Sequence, residues 1–178
     1  NNLTQTCRKP DQNKNEQDMN HYHANSALAL TVALTATPAF AADENNTAPG
    51  LTAAGAPLGL HGVDPVTFID IGNRVEGRAE YTAVHNGVAY YFSTRDNMNK
   101  FKRNAANYIP QIGGFCTYGV SVGKNFDGDP QFADVRDGKL FVFLNEEIYN
   151  AYQADKAGTI SKADTQWEKI IHTAATDL

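Results

Sequence analysis

Apolar and polar residues alternate along two short stretches of the chain, and a turn dipeptide interrupts each stretch. The first stretch reads YTAVHNGVAYYFST and is divided by Asn86-Gly87. The second reads FADVRDGKLFVFLN and is divided by Asp137-Gly138. Both dipeptides suit a two-residue turn that needs a positive φ at both positions. The pattern therefore predicts two antiparallel β-hairpins.

A helical pattern follows each hairpin. After the first, Ser93 is placed to cap a helix that carries Met98 and Phe101 on one face and ends before Pro110. After the second, Asn145 is placed to cap the segment EEIYNAYQAD, which has two glutamates in its first turn.

One more helix is predicted in ISKADTQWEKII, where Ser161 and Asp164 are spaced as a cap and Trp167 lies on the apolar face. Asp64-Pro65 is predicted to form a turn, and no segment of the sequence repeats another. Two hairpins, each followed by helix, indicate a small single α+β domain and not a parallel βαβ sheet.

The N-terminal part of the chain differs from the rest. Residues 1–18 are polar and aperiodic, and we expect them to be a leader outside the native protein. Residues 19–41 start at Met19 and hold an apolar core of about a dozen residues followed by Pro38 and Ala-Phe-Ala, which is typical of a signal peptide. The alternative is a short buried helix, since no Lys or Arg lies between Met19 and Ser26.

Export would leave three further regions. Residues 42–57 are rich in Asn, Ala, Gly and Pro and are predicted to form a flexible tether. Residues 58–172 are predicted to form the folded domain, and residues 173–178 a tail. The protein is then expected in the periplasm or outside the cell. Cys7 would be lost, so that Cys116 has no partner for an intramolecular disulfide.

Composition excludes several classes of function. The chain has 178 residues, 42% hydrophobic and 20% charged, which is typical of a globular protein. Its formal net charge of −5, with no basic cluster, argues against binding to nucleic acid. No apolar run is long enough to span a bilayer.

Several short elements occur in order between Gly62 and about Val122. They are Asp64-Pro65-Val66, the Tyr-x-Phe-Ser of Tyr90 to Ser93, Phe101, Tyr108-x-Pro110 and Gly113-Gly114-x-Cys116. Together they resemble a YHS domain, and the downstream part, as far as Trp167, resembles the longer exported bacterial members of that family. The resemblance implies a small α+β fold, of a kind often attached to proteins that handle copper or other metals.

The resemblance does not extend to the family's metal-binding thiols. Metal-handling relatives place cysteines after Asp-Pro-Val and in a Phe-Cys-Ser-x-x-Cys run at the start of the helix. Here Thr67, Ser93 and Asn97 stand at those positions. Hydroxyl and amide groups do not replace the thiolate, imidazole or thioether ligands of a soft metal. The family's thiolate site is therefore not expected in this chain.

Cys116 lies in the loop PQIGGFCTYGV and has three interpretations: a metal ligand, a reactive thiol or a small core residue. Gly113 and Gly114 either let backbone N–H groups approach a ligand or form a tight turn, and Tyr118 would add an aromatic wall. For a transition metal such as copper or zinc, His61 is the better histidine partner. A helix that begins after Cys116 would lower the pKa of the thiol.

The leading hypothesis is an exported, non-enzymatic YHS-like module that binds a metal ion or small ligand around Cys116. The alternatives are a thiol-reactive or redox protein that uses Cys116 and a domain that binds another protein. The short motif DGDP, which starts at Asp127, is interpreted as a turn, although its carboxylates are also ligands for a hard cation. None of the common nucleophile, zinc-protease or phosphate-loop motifs is present.

Overall fold

Both predicted hairpins are present in the computed structural model, which describes residues 44–178. Strand β1, Arg78–His85, pairs antiparallel with β2, Val88–Phe92. Strand β3, Asp129–Arg136, pairs antiparallel with β4, Lys139–Phe143. The longer strand of each pair carries a register shift, so each ribbon bends over the core.

The two turns have the predicted backbone geometry. Asn86 and Gly87 have φ values of 47° and 79°, and Asp137 and Gly138 have values of 52° and 72°. Positive φ at both positions is the property that favours Asn-Gly and Asp-Gly in these turns.

Gly87→Val is expected to lower the free energy of unfolding by roughly 1 kcal/mol or more, because a β-branched side chain resists a positive φ. The change is measured as a shift of the urea midpoint. A midpoint equal to that of the wild type would contradict a turn that depends on Gly87.

Five α-helices complete the fold of residues 44–178, which confirms the predicted α+β class. In chain order they are α1 Pro65–Ile71, α2 Arg95–Arg103, α3 Thr117–Ser121, α4 Glu146–Ala154 and α5 Lys156–Ile170. No helix within residues 44–178 has the length and apolar character needed to cross a membrane.

The helix starts differ in part from the prediction. Asn145 caps α4 by accepting the Ile148 N–H at 3.0 Å, as predicted. Helix α2 is capped by Thr94 and not by Ser93, whose side chain and N–H bind Asp64.

Asp64 and Asp155 also begin helices. Asp64 caps α1, so Asp64-Pro65 is a helix start and not an isolated turn. The carboxylate of Asp155 caps α5, and the predicted cap at Ser161 and Asp164 is wrong because both residues lie inside that helix.

The domain consists of two structurally similar halves, which the sequence did not reveal. Each half has an eight-residue strand, a tight turn, a five-residue strand and a nine-residue helix. Each also has a left-handed turn and a short helix before its hairpin. The left-handed turns comprise Leu60–Gly62, with φ values of 49°, 49° and 82°, and Ile112–Gly114, with values of 55°, 59° and 79°.

Residues 44–57 are tied to the domain, in contrast to the predicted flexible tether. The Asn46 N–H donates to the Gly113 carbonyl at 2.8 Å, and the Ala48 N–H donates to the Leu58 carbonyl at 2.8 Å. Ala56 is buried. Backbone hydrogen bonds thus order a segment whose composition alone indicates flexibility. We call residues 44–57 the strap.

The apolar core has three clusters. The largest packs the first hairpin against α1 and α2, and Phe101 from α2 lies at its centre beside Tyr90 and Phe92. A second cluster joins the Ile112 turn to α5. The third surrounds Tyr152, the residue of α4 that occupies the place of Phe101 in the second half.

Candidate functional site

Cys116 is a buried structural residue at the start of α3. It is 1% exposed. Its Sγ accepts the Gly119 N–H at 3.4 Å and the Leu144 N–H at 3.3 Å. The sulfur therefore caps a short helix and holds it to the residue that follows β4.

Burial, and not the helix, decides the acidity of Cys116. Removal from water raises the pKa of the thiol, and the N–H groups of Gly119, Leu144 and Tyr118 only partly oppose that effect. A helix does begin after Cys116. The pKa of the thiol is nevertheless raised overall and not lowered. A buried thiol with a raised pKa is a poor nucleophile and a poor metal ligand.

Asp64 holds the same place in the first half as Cys116 holds in the second. It follows the left-handed turn, caps the short helix and binds the N–H of Ser93, the residue directly after β2. Cys116 likewise follows its turn, caps α3 and binds the N–H after β4. The shared geometry explains Cys116 as an acceptor for backbone N–H groups.

The carboxylate of Asp64 is fully buried and accepts six hydrogen bonds. Four donors are the hydroxyl and N–H of Ser93, at 2.6 and 2.8 Å, the Asn97 amide at 2.7 Å and the Thr67 hydroxyl at 3.0 Å. The remaining two are the N–H groups of Val66 and Thr67. Burial alone would raise the pKa of Asp64, but these hydrogen bonds lower it overall.

Thr67, Ser93 and Asn97, the positions that the predicted YHS resemblance sets against thiols, thus meet in space. Thr67, Ser93 and Asn97 surround one carboxylate oxygen, and Asn97 also donates to the Thr67 hydroxyl at 2.9 Å. Their polar groups are bound to each other and to Asp64, which makes the cluster a bracket between α1 and the start of α2.

His61 forms a pair with a carboxylate at the surface. Its Nε2 lies 3.0 Å from Asp127 Oδ1, which also accepts the Asn46 side-chain amide at 2.7 Å. Among the described residues no hydrogen bond joins His61 to Cys116. The pair fixes the strap near the left-handed turn of the first half.

The part of the chain that the structure describes holds no group of three His, Cys, Asp or Glu placed to bind a metal ion. Asp127 Oδ1 is the hydrogen-bond partner of the side chains of His61 and Asn46, and Asp129 accepts the Gln131 N–H at 2.7 Å. The DGDP segment therefore functions as a turn and strand start. Neither it nor Cys116 with His61 forms a cluster of metal ligands in this region.

Gly113 and Gly114 accommodate the strap. A Cβ at Gly113 would overlap the Glu44 carbonyl oxygen and approach Trp167 Cη2 to 3.2 Å. The Gly114 carbonyl accepts the Asn46 amide at 3.0 Å. His61 occupies the equivalent of Gly113 in the first half, where no strap crosses the turn. The close backbone approach expected at these glycines is thus made by another part of the chain.

Gly113 also lines an open cavity of about 410 Å³ between the first hairpin, the Ile112 turn and α5. This volume lies in the range of about 300–1,000 Å³ that ligand pockets occupy. Its lining residues are Glu44, Asn45, His85, Asn86, Tyr90, Ile109, Pro110, Gln111, Ile112, Gly113, Trp167 and Ile171.

The cavity combines apolar walls with a few polar groups. Tyr90 is 4% exposed and lies in the lining. Burial raises the pKa of Tyr90, so the hydroxyl stays protonated at neutral pH and can both donate and accept. His85, Gln111 and Glu44 add an imidazole, an amide and a carboxylate.

A second cavity, of about 600 Å³, lies between the strap and the first hairpin. Its lining is largely small and apolar, and no titratable side chain is part of it. The cavity at Gly113 is therefore the better candidate for specific recognition.

Of the site residues predicted from the sequence, Gly113 is the one that lines the cavity described first. Tyr118 lies elsewhere, packed with Cys116 against the third core cluster, and His61 lies at the Asp127 pair. The cavity residues that were not predicted are far apart in the chain. Trp167 is the single tryptophan of the sequence, and it was the one sequence feature that could have pointed to this cavity.

Comparisons of the chain with protein-family models, curated proteins and solved structures gave no match. The resemblance to the YHS family therefore remains a prediction from the sequence elements.

We expect native Cys116 to react with a chromogenic disulfide reagent at least about tenfold more slowly than the unfolded chain, because reaction requires opening of the core. The rates are compared with and without denaturant in a Cys7→Ser background, which leaves one thiol. Equal rates would show that Cys116 is accessible and would revive the redox alternative.

Proposed function

We propose that the protein is an exported, non-enzymatic YHS-like module that binds a small organic ligand in the cavity beside Gly113. The observation that carries the proposal is a cavity of ligand size, whose lining joins the largely buried Tyr90 and the apolar surface of Trp167 to a few polar side chains. A cavity of this size with apolar walls and a few polar groups is typical of a site for a small organic ligand.

The rest of the lining supports the same proposal. Trp167 and the Ile side chains offer apolar surface, and His85 and Gln111 offer hydrogen bonds that can orient a ligand. Apolar burial provides most of the affinity at such sites, and a few polar groups provide specificity.

The proposed ligand site does not include Cys116. The thiol is buried and bound by two N–H groups, which favours the core interpretation over the metal-ligand and reactive-thiol hypotheses. Copper or zinc binding at Cys116 and His61 would require at least one further ligand and movement of both side chains.

The test is native mass spectrometry of the protein after incubation with a small-molecule extract of the source cells. We expect a noncovalent adduct with the mass of an organic molecule, which is lost in the cavity-filling variant Ile171→Phe. A copper or zinc adduct that survives Ile171→Phe and disappears in Cys116→Ser would support the metal hypothesis instead.

Export has its own prediction. The mature N-terminus is expected at Ala42 or Asp43, because Pro38 ends the apolar segment and Ala-Phe-Ala follows. Intact-mass analysis of the protein from the cell envelope or medium measures it. Recovery of a chain that begins at Asn1 or Met19 would contradict export by cleavage.

A further inference from the structure

We infer that the cavity beside Gly113 selects small organic cations, such as a protonated amine on a compact apolar body. This inference rests on the proposed function and adds the chemical class of its ligand. It follows from the charges and the aromatic rings that line the cavity.

The charge of the cavity lining favours a cationic ligand. Glu44 is the one acidic residue of the described lining, and neither Lys nor Arg is part of it. Its Oε1 lies 2.7 Å from His172 Nδ1, while no described residue donates a hydrogen bond to Oε2. The side chain of Glu44 is 35% exposed and that of His172 is 77% exposed, so a ligand can reach the carboxylate from solvent. A carboxylate there attracts a cation and repels an anion.

The aromatic rings of the lining also favour a cationic ligand. Trp167 and Tyr90 both line the cavity, and Trp and Tyr are the side chains whose ring faces attract ammonium groups most strongly. Trp167 Cη2 and the Glu44 carbonyl oxygen both lie next to Gly113, so the indole ring and Glu44 border the same part of the cavity. An anionic ligand would find neither Lys nor Arg in the described lining.

The apolar part of the lining indicates that the ligand has an apolar body in addition to its positive charge. Ile109, Ile112 and Ile171 provide surface that a hydrated inorganic cation cannot use. The expected ligand therefore has an alkyl or ring body beside its ammonium group.

The experiment compares three probes that share one body: cyclohexylmethylamine, cyclohexylmethanol and cyclohexanecarboxylate. Affinities are measured at neutral pH and low salt from the fluorescence of Trp167 and by calorimetry. We expect the amine to bind at least tenfold more tightly than the alcohol, a difference of about 1.4 kcal/mol. The carboxylate should bind more weakly than both.

Glu44→Gln should reduce the affinity for the amine to that for the alcohol and leave the alcohol unchanged, which also shows that the cavity has kept its shape. Glu168→Gln is the matched control, because it removes an equal charge next to Trp167 from an exposed side chain outside the lining. In that variant the preference for the amine should persist.

The possible failures are distinct. Equal or tighter binding of the carboxylate, or an amine preference that survives Glu44→Gln, would overturn the cation inference and leave the cavity as a ligand site. Absence of binding by all three probes would overturn both this inference and the proposed function.

Discussion

Asp64→Ala is expected to lower the free energy of unfolding by about 3 kcal/mol, because it removes one acceptor and leaves several buried donors unpaired. The donors are the groups of Ser93, Thr67 and Asn97 that now point at one carboxylate. Urea denaturation measures the loss. The matched control is Asp96→Ala, which removes an exposed carboxylate from the first turn of α2 and should cost much less.

Acid should have the same effect as that substitution. The pKa of Asp64 is lowered in the folded state from its ordinary value of 3.8, so at acidic pH the unfolded chain binds a proton that the folded chain does not. The contribution of Asp64 to stability is complete above pH 4 and is lost as the pH falls through the folded pKa. Asp64→Asn should remove this part of the pH dependence. An unchanged acid transition in Asp64→Asn would contradict the proposed bracket.

Gly113→Val should lower the free energy of unfolding by about 2 kcal/mol and release the strap. Two costs combine at this position: a β-branched residue at φ 59° and an overlap with the Glu44 carbonyl oxygen. Urea denaturation measures the stability, and limited proteolysis of residues 44–57 measures strap release.

Gly123→Val separates those two costs. Gly123 has φ 78°, but a Cβ there would meet no atom within 4 Å. It should therefore show the backbone cost alone and leave the strap protected. Equal proteolysis of the strap in both variants would show that contact with Glu44 does not hold it.

The hairpins were predictable because their determinants are local. Asn86-Gly87 and Asp137-Gly138 specify their turns within two residues, and the flanking strands alternate in polarity. Asn145 is likewise a local cap. Each of these features depends on residues a few positions apart, which is the range that a sequence pattern can reveal.

The similarity of the two halves was not predictable because equivalent positions carry different chemistry. Asp64 and Cys116 perform the same structural task, with an oxygen acceptor in a polar bracket in one half and a sulfur acceptor in an apolar cluster in the other. Phe101 and Tyr152 fill equivalent places in the core. Backbone geometry relates them more closely than residue identity does.

The cavity was not predictable because it joins residues from opposite ends of the domain. Glu44 lies in the strap, His85 in the first hairpin and Trp167 in the last long helix. The strap itself is ordered by backbone hydrogen bonds to Gly113 and Leu58, which its composition does not encode. The rarity of cysteine in the sequence says nothing of the two hydrogen bonds that Cys116 Sγ accepts, from the N–H groups of Gly119 and Leu144, which define its structural role.

The most direct test of a ligand site beside Gly113 is a two-dimensional NMR titration of the labelled protein with a set of small organic fragments. Trp167 is the single tryptophan, so its indole N–H gives one signal inside the cavity. We predict saturable shifts of that signal and of the Gly113 amide, abolished by Ile171→Phe and retained in the control Ile148→Phe on α4. Fragments that shift signals around Cys116 and His61 instead, or shifts at Trp167 that survive Ile171→Phe, would contradict the account.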